Sequence, residues 1–277
     1  LLGTCILPLS LKESFRTIRS IASFIKDLGT EKIFLSHVFE GKRIRQKQSE
    51  KMGDIAEELR SMDFIVSTHS LKGSVVDGIM DLTKELTPDF AALPWHNIDP
   101  LRRSLVGSID IDIVRSIDIP ALIYKKESIS SNPGLDSIIY ATNFQRTDSI
   151  VVPYLSGNSL HARTLYLLHA GQRAPDPEAD QKRRSLIRNS LDRLAKECRV
   201  NFDNVETIET VGSVRTEIVR EARRKKADMI IMGKTDSKKS IDRILGSTAE
   251  SVAIKSHTNI ILIPATGSSK SGSVLNG

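Results

Sequence analysis

Residues 228–264 read DMIIMGKTDSKKSIDRILGSTAESVAIKSHTNIILIP. The stretch holds two short apolar runs, Met229–Met232 and Ile260–Ile263, with a helix start at Gly246-Ser247-Thr248 between them. Continuous apolar runs of this length bounded by turn residues read as strands buried on both faces. A strand, a helix and a second such strand in succession describe one unit of a parallel sheet. Gly233-Lys234-Thr235 also imitates the tail of a phosphate-binding P-loop. That loop needs glycine five residues before Gly233, and the residue there is Asp228, at the head of a strand. The P-loop reading fails, and the parallel unit stands.

Working outward, the unit proves to be one of two. Gly73-Ser74 recurs as Gly212-Ser213, Asp89-Phe90 as Asp228-Met229 and Gly107-Ser108 as Gly246-Ser247, all at one constant offset. His37 and His169 match at an offset shorter by seven, so the halves differ in length in between. The join is KKESISSNPGL, whose Ser, Asn, Pro and Gly mark a linker. The expected division is a first domain over 1–127, a linker over 128–135, a second domain over 136–265 and a disordered tail over 266–277.

Each half alternates short apolar strands with amphipathic helices. TCILPL predicts the first strand, and Ser10-Leu11-Lys12-Glu13 a capping box for the following helix. That helix sets Phe15, Ile18, Ile21, Ala22, Ile25 and Leu28 on one face and stops at Gly29. KIFLSHV, DFIVSTH, FAAL and PALIY are the remaining strands; the intervening helices are marked by Met52, Ile55, Ala56 and Leu59, by Val75, Ile79, Met80 and Thr83, and by Ile109, Ile113 and Val114. The second half runs SIIYAT, a short helix carrying Pro153, LYLLHA, a long basic helix, VETIET, a helix from Ser213, DMIIMG, a helix from Gly246 and NIILI. The fold class is therefore α/β: two tandem, doubly wound, Rossmann-like parallel-sheet domains. Short hydrophobic edges such as PALIY and NIILI need cover.

The composition narrows the function. With 39% hydrophobic and 27% charged residues and only short apolar runs, the chain is a soluble globular protein with no membrane span and no visible signal peptide. Its localisation is expected to be cytoplasmic, which suits two isolated cysteines, Cys5 and Cys198, read as buried free thiols. Positions 1–135 balance their charges, so the net charge of +6 belongs to the second half, in runs such as Lys182-Arg183-Arg184. Without interleaved aromatics these runs read as solvated helix faces, and no specific nucleic-acid partner is expected.

In an open α/β sheet, ligands sit beyond the C-terminal ends of the strands where the strand order reverses, and a helix start there offers unpaired N–H groups to phosphates. The bland alternative is that Gly246 permits a tight helix entry while Ser247 or Thr248 caps it. The spacing Gly233-Lys-Thr-Asp236, nine residues, Gly246-Ser247, together with the duplication and strand endings such as MIIMG and IILIP, resembles the universal stress protein family in its tandem two-domain form. The resemblance covers residues 1–265. It implies an adenine nucleotide alpha-hydrolase-like fold and two domains packed as a pseudo-dimer through the fifth-strand edge, with chains pairing further as a homodimer. The cofactor it implies is ATP or another adenine nucleotide, accompanied by Mg. Carried over position by position, the contacts are Ala141, Thr142 and Asn143 after the first strand of the second half, Ala170 after its second, then Gly233, Asp236, Gly246, Ser247 and Thr248.

Departures from the family pattern bear on that site. Asp236 stands where the family has its second glycine; one carboxylate–phosphate pair at ~4 Å and an effective dielectric of ~20 costs about 4 kcal/mol, which Lys234, Lys238, Lys239 or Arg243 could offset. Asn143 replaces the aspartate that closes the first strand. In the first half, Pro94 has no N–H to donate, Trp95 adds bulk, and Ser10 takes the aspartate position, so that half is expected to have lost the site.

No catalytic constellation is present: Gly-x-Ser-x-Gly, HExxH and Cys-x-x-Cys are all missing. His37 and His169 read as structural, Trp95 as a packing residue, and Asp110 and Asp112 as favourable charges at a helix start. The expected function is a non-enzymatic stress-response or regulatory module with weak adenine-nucleotide binding in the second domain and an unidentified regulatory protein partner. Two alternatives stay open: slow ATP hydrolysis or adenylate handling in the second domain, and a cytosolic regulatory domain from a membrane transporter, since the chain begins with Leu1 rather than Met.

Overall fold

A computed structural model of the chain describes residues 2–39, 45–95, 109–125, 135–145, 147–157, 160–234 and 245–264. In the first half the elements run β1 (Thr4–Pro8), α1 (Phe15–Asp27), β2 (Lys32–Phe39), α2 (Gln46–Ser61), β3 (Ile65–Lys72), α3 (Val75–Leu86), β4 (Phe90–Pro94), α4 (Ile109–Ser116) and β5 (Ala121–Tyr124). In the second they run β6 (Leu135–Ala141), α5 (Asp148–Ser156), β7 (Ala162–Gly171), α6 (Pro177–Cys198), β8 (Phe202–Val211), α7 (Val214–Arg224), β9 (Met229–Lys234), α8 (Ser247–Lys255) and β10 (Asn259–Pro264). Residues 126–134 of the linker and the tail from 265 onward lie outside the described residues.

The strands form one ten-stranded sheet in the order β3-β2-β1-β4-β5-β10-β9-β6-β7-β8. Each half is parallel throughout in the order 3-2-1-4-5, and the halves meet antiparallel at β5 and β10. Leu122 faces Ile261 at the centre of that pairing, and Ile123 with Ile260 and Ala121 with Leu262 flank it. Leu122 and Ile261 are repeat images of each other, so a pseudo-twofold axis passes through this pair. The edges PALIY and NIILI thus cover each other, as a pseudo-dimer requires. All six residues of β10 and all four of β5 are buried. Fully burying each large aliphatic side chain there contributes about 1.5–3 kcal/mol.

Helices α1, α2, α5 and α6 supply one hydrophobic layer and α3, α4, α7 and α8 the other, each layer running across both halves. The repeated aspartates have a structural task. Asp89 accepts from the backbone N–H and hydroxyl of Thr4, and Asp228 from the N–H groups of Asp136 and Ser137, so each pins the start of its half's first strand.

Two local expectations are corrected. Ser10 and Glu13 do bond to each other, at 2.8–3.0 Å, but Leu11 between them is left-handed (φ 63), so they form a turn outside the helix. Ser14 caps α1 instead, accepting from Thr17 N at 3.1 Å. Phe15, placed by the sequence on the buried face, is 37% exposed because it stands in the first turn, ahead of the helix's packed length. Ile109 belongs to α4, as expected, and is 55% exposed, while Ile111, Ile113 and Val114 pack in the core. Pro153 sits inside the nine-residue α5, which is as short as its sequence suggested.

Candidate functional site

In the second half the strand order reverses between β6 and β9, and at their C-terminal ends lies a cleft of about 340 Å³. That volume falls within the range of small-molecule sites. The strand ends and two helix starts build it. Ala141, Thr142 and Asn143 come from the end of β6, Ala170 from β7 and Gly233 from β9, while Gly246, Ser247 and Thr248 open α8. The structure therefore brings together eight of the nine residues singled out in the sequence; the ninth, Asp236, lies outside the described residues, as do Lys238, Lys239 and Arg243. Leu168, Val214, Ile218 and Met232 supply an apolar wall, and among the described residues no ionisable side chain lines the cleft.

Its polar character comes from the side chains of Thr142, Asn143, Thr147, Ser247 and Thr248 and from the backbone. Gly246 precedes α8 with φ 35, a left-handed value that disfavours a side chain, and it carries none that could cap. The bland expectation that Ser247 or Thr248 caps the helix is thus corrected: both lie inside it. The first bond of the turn is Glu250 N to Gly246 O at 3.1 Å, so the N–H groups of Ser247, Thr248 and Ala249 have no intrahelical partner. Helix α7, whose Val214 also lines the cleft, likewise has no side-chain cap on its N-cap residue Ser213. Its counterpart α3 does, through Ser74, as do α1 and α6 through Ser14 and Asp176.

On the opposite wall, Gly233 is held by packing. A Cβ there would lie 2.6 Å from Thr147 Cβ and 2.8 Å from its Cγ2. Asn143 Oδ1 accepts from Gln145 N at 3.1 Å and Thr142 Oγ1 accepts from Phe144 N at 3.0 Å, which folds the β6–α5 connection into a tight turn. Asp148, five residues beyond Asn143, is the carboxylate this region does possess. It receives the Tyr140 and Thr142 hydroxyls, and burial, reinforced by Asp148, keeps the Tyr140 phenol protonated well above its usual range. Asp148 lies outside the cleft lining.

His169 Nδ1 lies 3.1 Å from Thr142 O, and His37 Nδ1 lies 2.9 Å from Leu9 O. Both rings tether the connection after the first strand of their half, as structural histidines should. Cys5 and Cys198 are buried free thiols; burial raises both, Cys198 to about 12, which leaves them unreactive.

Two residues were misread or missed. Lys234, offered by the sequence as a counter-charge for a ligand and otherwise as incidental, is 3% exposed and directed elsewhere. Its Nζ donates to the carbonyls of Val114, Arg115 and Ile117 at 2.7, 2.9 and 3.0 Å, closing the C-terminal end of α4 in the other half. Arg215 belongs to no motif, yet its Nη2 donates to Ser247 Oγ at 3.0 Å, bridging α7 and α8 beside the cleft. Its one sequence signal is a break in the repeat, since Gly212-Ser213-Val214-Arg215 answers to Gly73-Ser74-Val75-Val76.

Comparison with known proteins matches this architecture. The profile of the universal stress protein family matches the chain twice, over residues 30–125 and 158–264. A universal stress protein from Archaeoglobus fulgidus DSM 4304 is 17% identical, with a TM-score of 0.67 over 94% of this chain and 96% of its own. A protein of unknown function from Pseudomonas aeruginosa PAO1 is 16% identical, with a TM-score of 0.67 over 95% of this chain and 92% of its own. At such identities the two structures speak for the fold. No curated protein sequence matches this one.

Proposed function

Because the chain belongs to the universal stress protein family and carries its domain twice, we propose that it is a regulatory module that binds an adenine nucleotide in its second half. The domains run over 1–127 and 136–265 in this reading. The observation that carries it is the convergence of uncapped α8 and α7 starts on an apolar-walled cleft at the strand-order reversal. Phosphates suit such helix ends, whose unpaired N–H groups and dipoles favour negative charge. The purine would lie against Leu168, Ile218 and Met232. Mg would arrive with the nucleotide's phosphates. Among the described residues the cleft walls offer no acid or base to a reaction, which favours binding over turnover. The first half lacks the same equipment: Pro94 stands for Gly233 and Val76 for Arg215.

Calorimetry with Mg-ATP tests the proposal. Heat of binding is expected from the native protein, and Gly246→Asp should abolish it by placing a carboxylate at the helix start. Native protein that gives no heat with ATP, ADP or AMP sinks the nucleotide reading. Release of stoichiometric phosphate from ATP over repeated turnovers would sink the non-enzymatic part alone.

A further inference from the structure

Arg215 stands beside the cleft with most of its hydrogen-bonding capacity uncommitted among the described residues. A guanidinium has five N–H donors in a fixed fork, and one of Arg215's is engaged, by Ser247 Oγ at 3.0 Å. Two other arginines of α7 differ. Arg220 pairs with Glu217, and Arg224 with Glu221 at 2.5 Å. Arg215 meets no carboxylate among the described residues. Among the described residues its charge is therefore placed beside the cleft without a neutralising carboxylate, next to Val214, which lines the wall.

The bond to Ser247 also sets the direction of the fork. Ser247 is the first residue of α8, so its hydroxyl ties the guanidinium to the helix end whose N–H groups open on the cleft. While that hydroxyl accepts from Arg215, its own hydrogen stays available to a ligand. Guanidinium, hydroxyl and backbone N–H groups then present donors from two helices to one place. Such a set matches the several oxygens of a phosphate and offers little to an uncharged ribose.

We propose that Arg215 is the residue by which the cleft distinguishes a phosphorylated nucleotide from the bare nucleoside. This rests on the nucleotide reading above and adds to it a ligand class: the phosphate bears the selectivity, whereas the purine contributes affinity common to nucleotide and nucleoside alike. The repeat supplies the test, because the first half carries Val76 at the equivalent position of α3.

Titrations of native protein, Arg215→Val and Arg215→Lys with adenosine, AMP and ATP decide the matter. Native protein should bind AMP and ATP more tightly than adenosine. Arg215→Val should lose about 10- to 100-fold in affinity for AMP and ATP, the range expected of charge-assisted hydrogen bonds, with adenosine unchanged. Arg215→Lys should recover part of the loss, since it keeps the charge and lacks the planar fork. The affinity of native protein for ATP should also fall more steeply with salt than that of Arg215→Val. Thermal melting of the variants should match native protein, because Arg215 is exposed. If native protein binds ATP and Arg215→Val binds it equally well, the assignment of Arg215 is overturned while the site stands. If native protein binds none of the three, the nucleotide reading falls and this inference with it.

Discussion

Pro94-Trp95 and Gly233-Lys234 occupy the same place in the two halves, at the end of the fourth strand of each. In the second half glycine lets Thr147 approach the strand end, and the next residue, Lys234, crosses the pseudo-dyad to the carbonyls closing α4. In the first half proline offers no N–H, and the Trp95 ring lies 4.3 Å from the Lys125 ammonium. Lys125 in turn donates to the carbonyls of Ala253 and Ser256 at the end of α8. Ala253 and Ser256 are the repeat images of Val114 and Ile117. Each half therefore has its helix end closed by a lysine from the other, though the two lysines are not equivalent in the repeat. What the duplicated fold requires is a donor at those carbonyls, whose intrahelical partners end there. Which residue provides it is free to differ, and that freedom let the two strand ends diverge into a cleft wall and a packed aromatic.

The comparison breaks most directly at the lysines. Lys234→Met should cost about 3–5 kcal/mol, since it leaves three inward-facing carbonyls without a donor at a buried position. Lys125 is only half-buried and has two such carbonyls, so Lys125→Met should cost about 1–2 kcal/mol. Urea unfolding of both variants measures the difference. Equal large losses would mean that the two ammonium ions close their helix ends equivalently despite the difference in burial, and small losses at both that other groups close them.

A smaller effect is expected at the other member of the pair. Gly233→Ala drives a methyl group to 2.6 Å from Thr147 Cβ, an overlap that backbone movement must relieve. Overpacking of this kind costs about 2 kcal/mol. Adding Thr147→Gly removes the opposing atoms, and the double variant should recover most of the loss in a double-mutant cycle. Additive losses would show that Gly233 is required by backbone conformation or by something other than Thr147.

The sequence reading reached the strands and their order of appearance because those rest on local or repeated signals, and it reached the pseudo-dimer through the family resemblance. Apolar runs such as IILI are self-evident in one window, and PALIY and NIILI declare edges that need cover. The cleft residues came from the family resemblance, carried by Gly233 and Gly246-Ser247 at their spacing, and eight of them line one cleft. Lys234 and Arg215 were not legible. Lys234 binds carbonyls 117 to 120 residues away, and a lysine at a strand end reads as solvated until the other half is placed. Arg215 meets Ser247 across 32 residues, through a contact between two helices that no periodicity encodes. The Ser10 cap failed for a local reason, since Ser-x-x-Glu fits a turn with a left-handed Leu11 as well as it fits a helix start.

The finest distinction between the halves lies in the paired histidines. Each ring tethers the connection after its half's first strand, but His37 Nε2 meets the side chain of Gln48 at 3.1 Å, whereas the His169 ring stacks on Phe144 with centroids 4.7 Å apart. Burial lowers the pKa of His169 below 6.5 and Arg183 adds to this, against opposing contributions from the Thr142 carbonyl, Glu209 and Asp148. The folded protein thus favours neutral His169. Between its folded and unfolded pKa values the unfolded chain binds more protons, so this residue's stabilising share is fully present above about pH 6.5 and is lost as pH falls through the folded value. His169→Gln keeps a hydrogen-bond donor for Thr142 O and removes the titration. Its stability should therefore fall less than that of native protein between about pH 7 and pH 5 in parallel urea titrations. Parallel curves for the two proteins would place the acid sensitivity elsewhere and leave packing, Phe144 stacking against the Gln48 contact, as what separates His169 from His37.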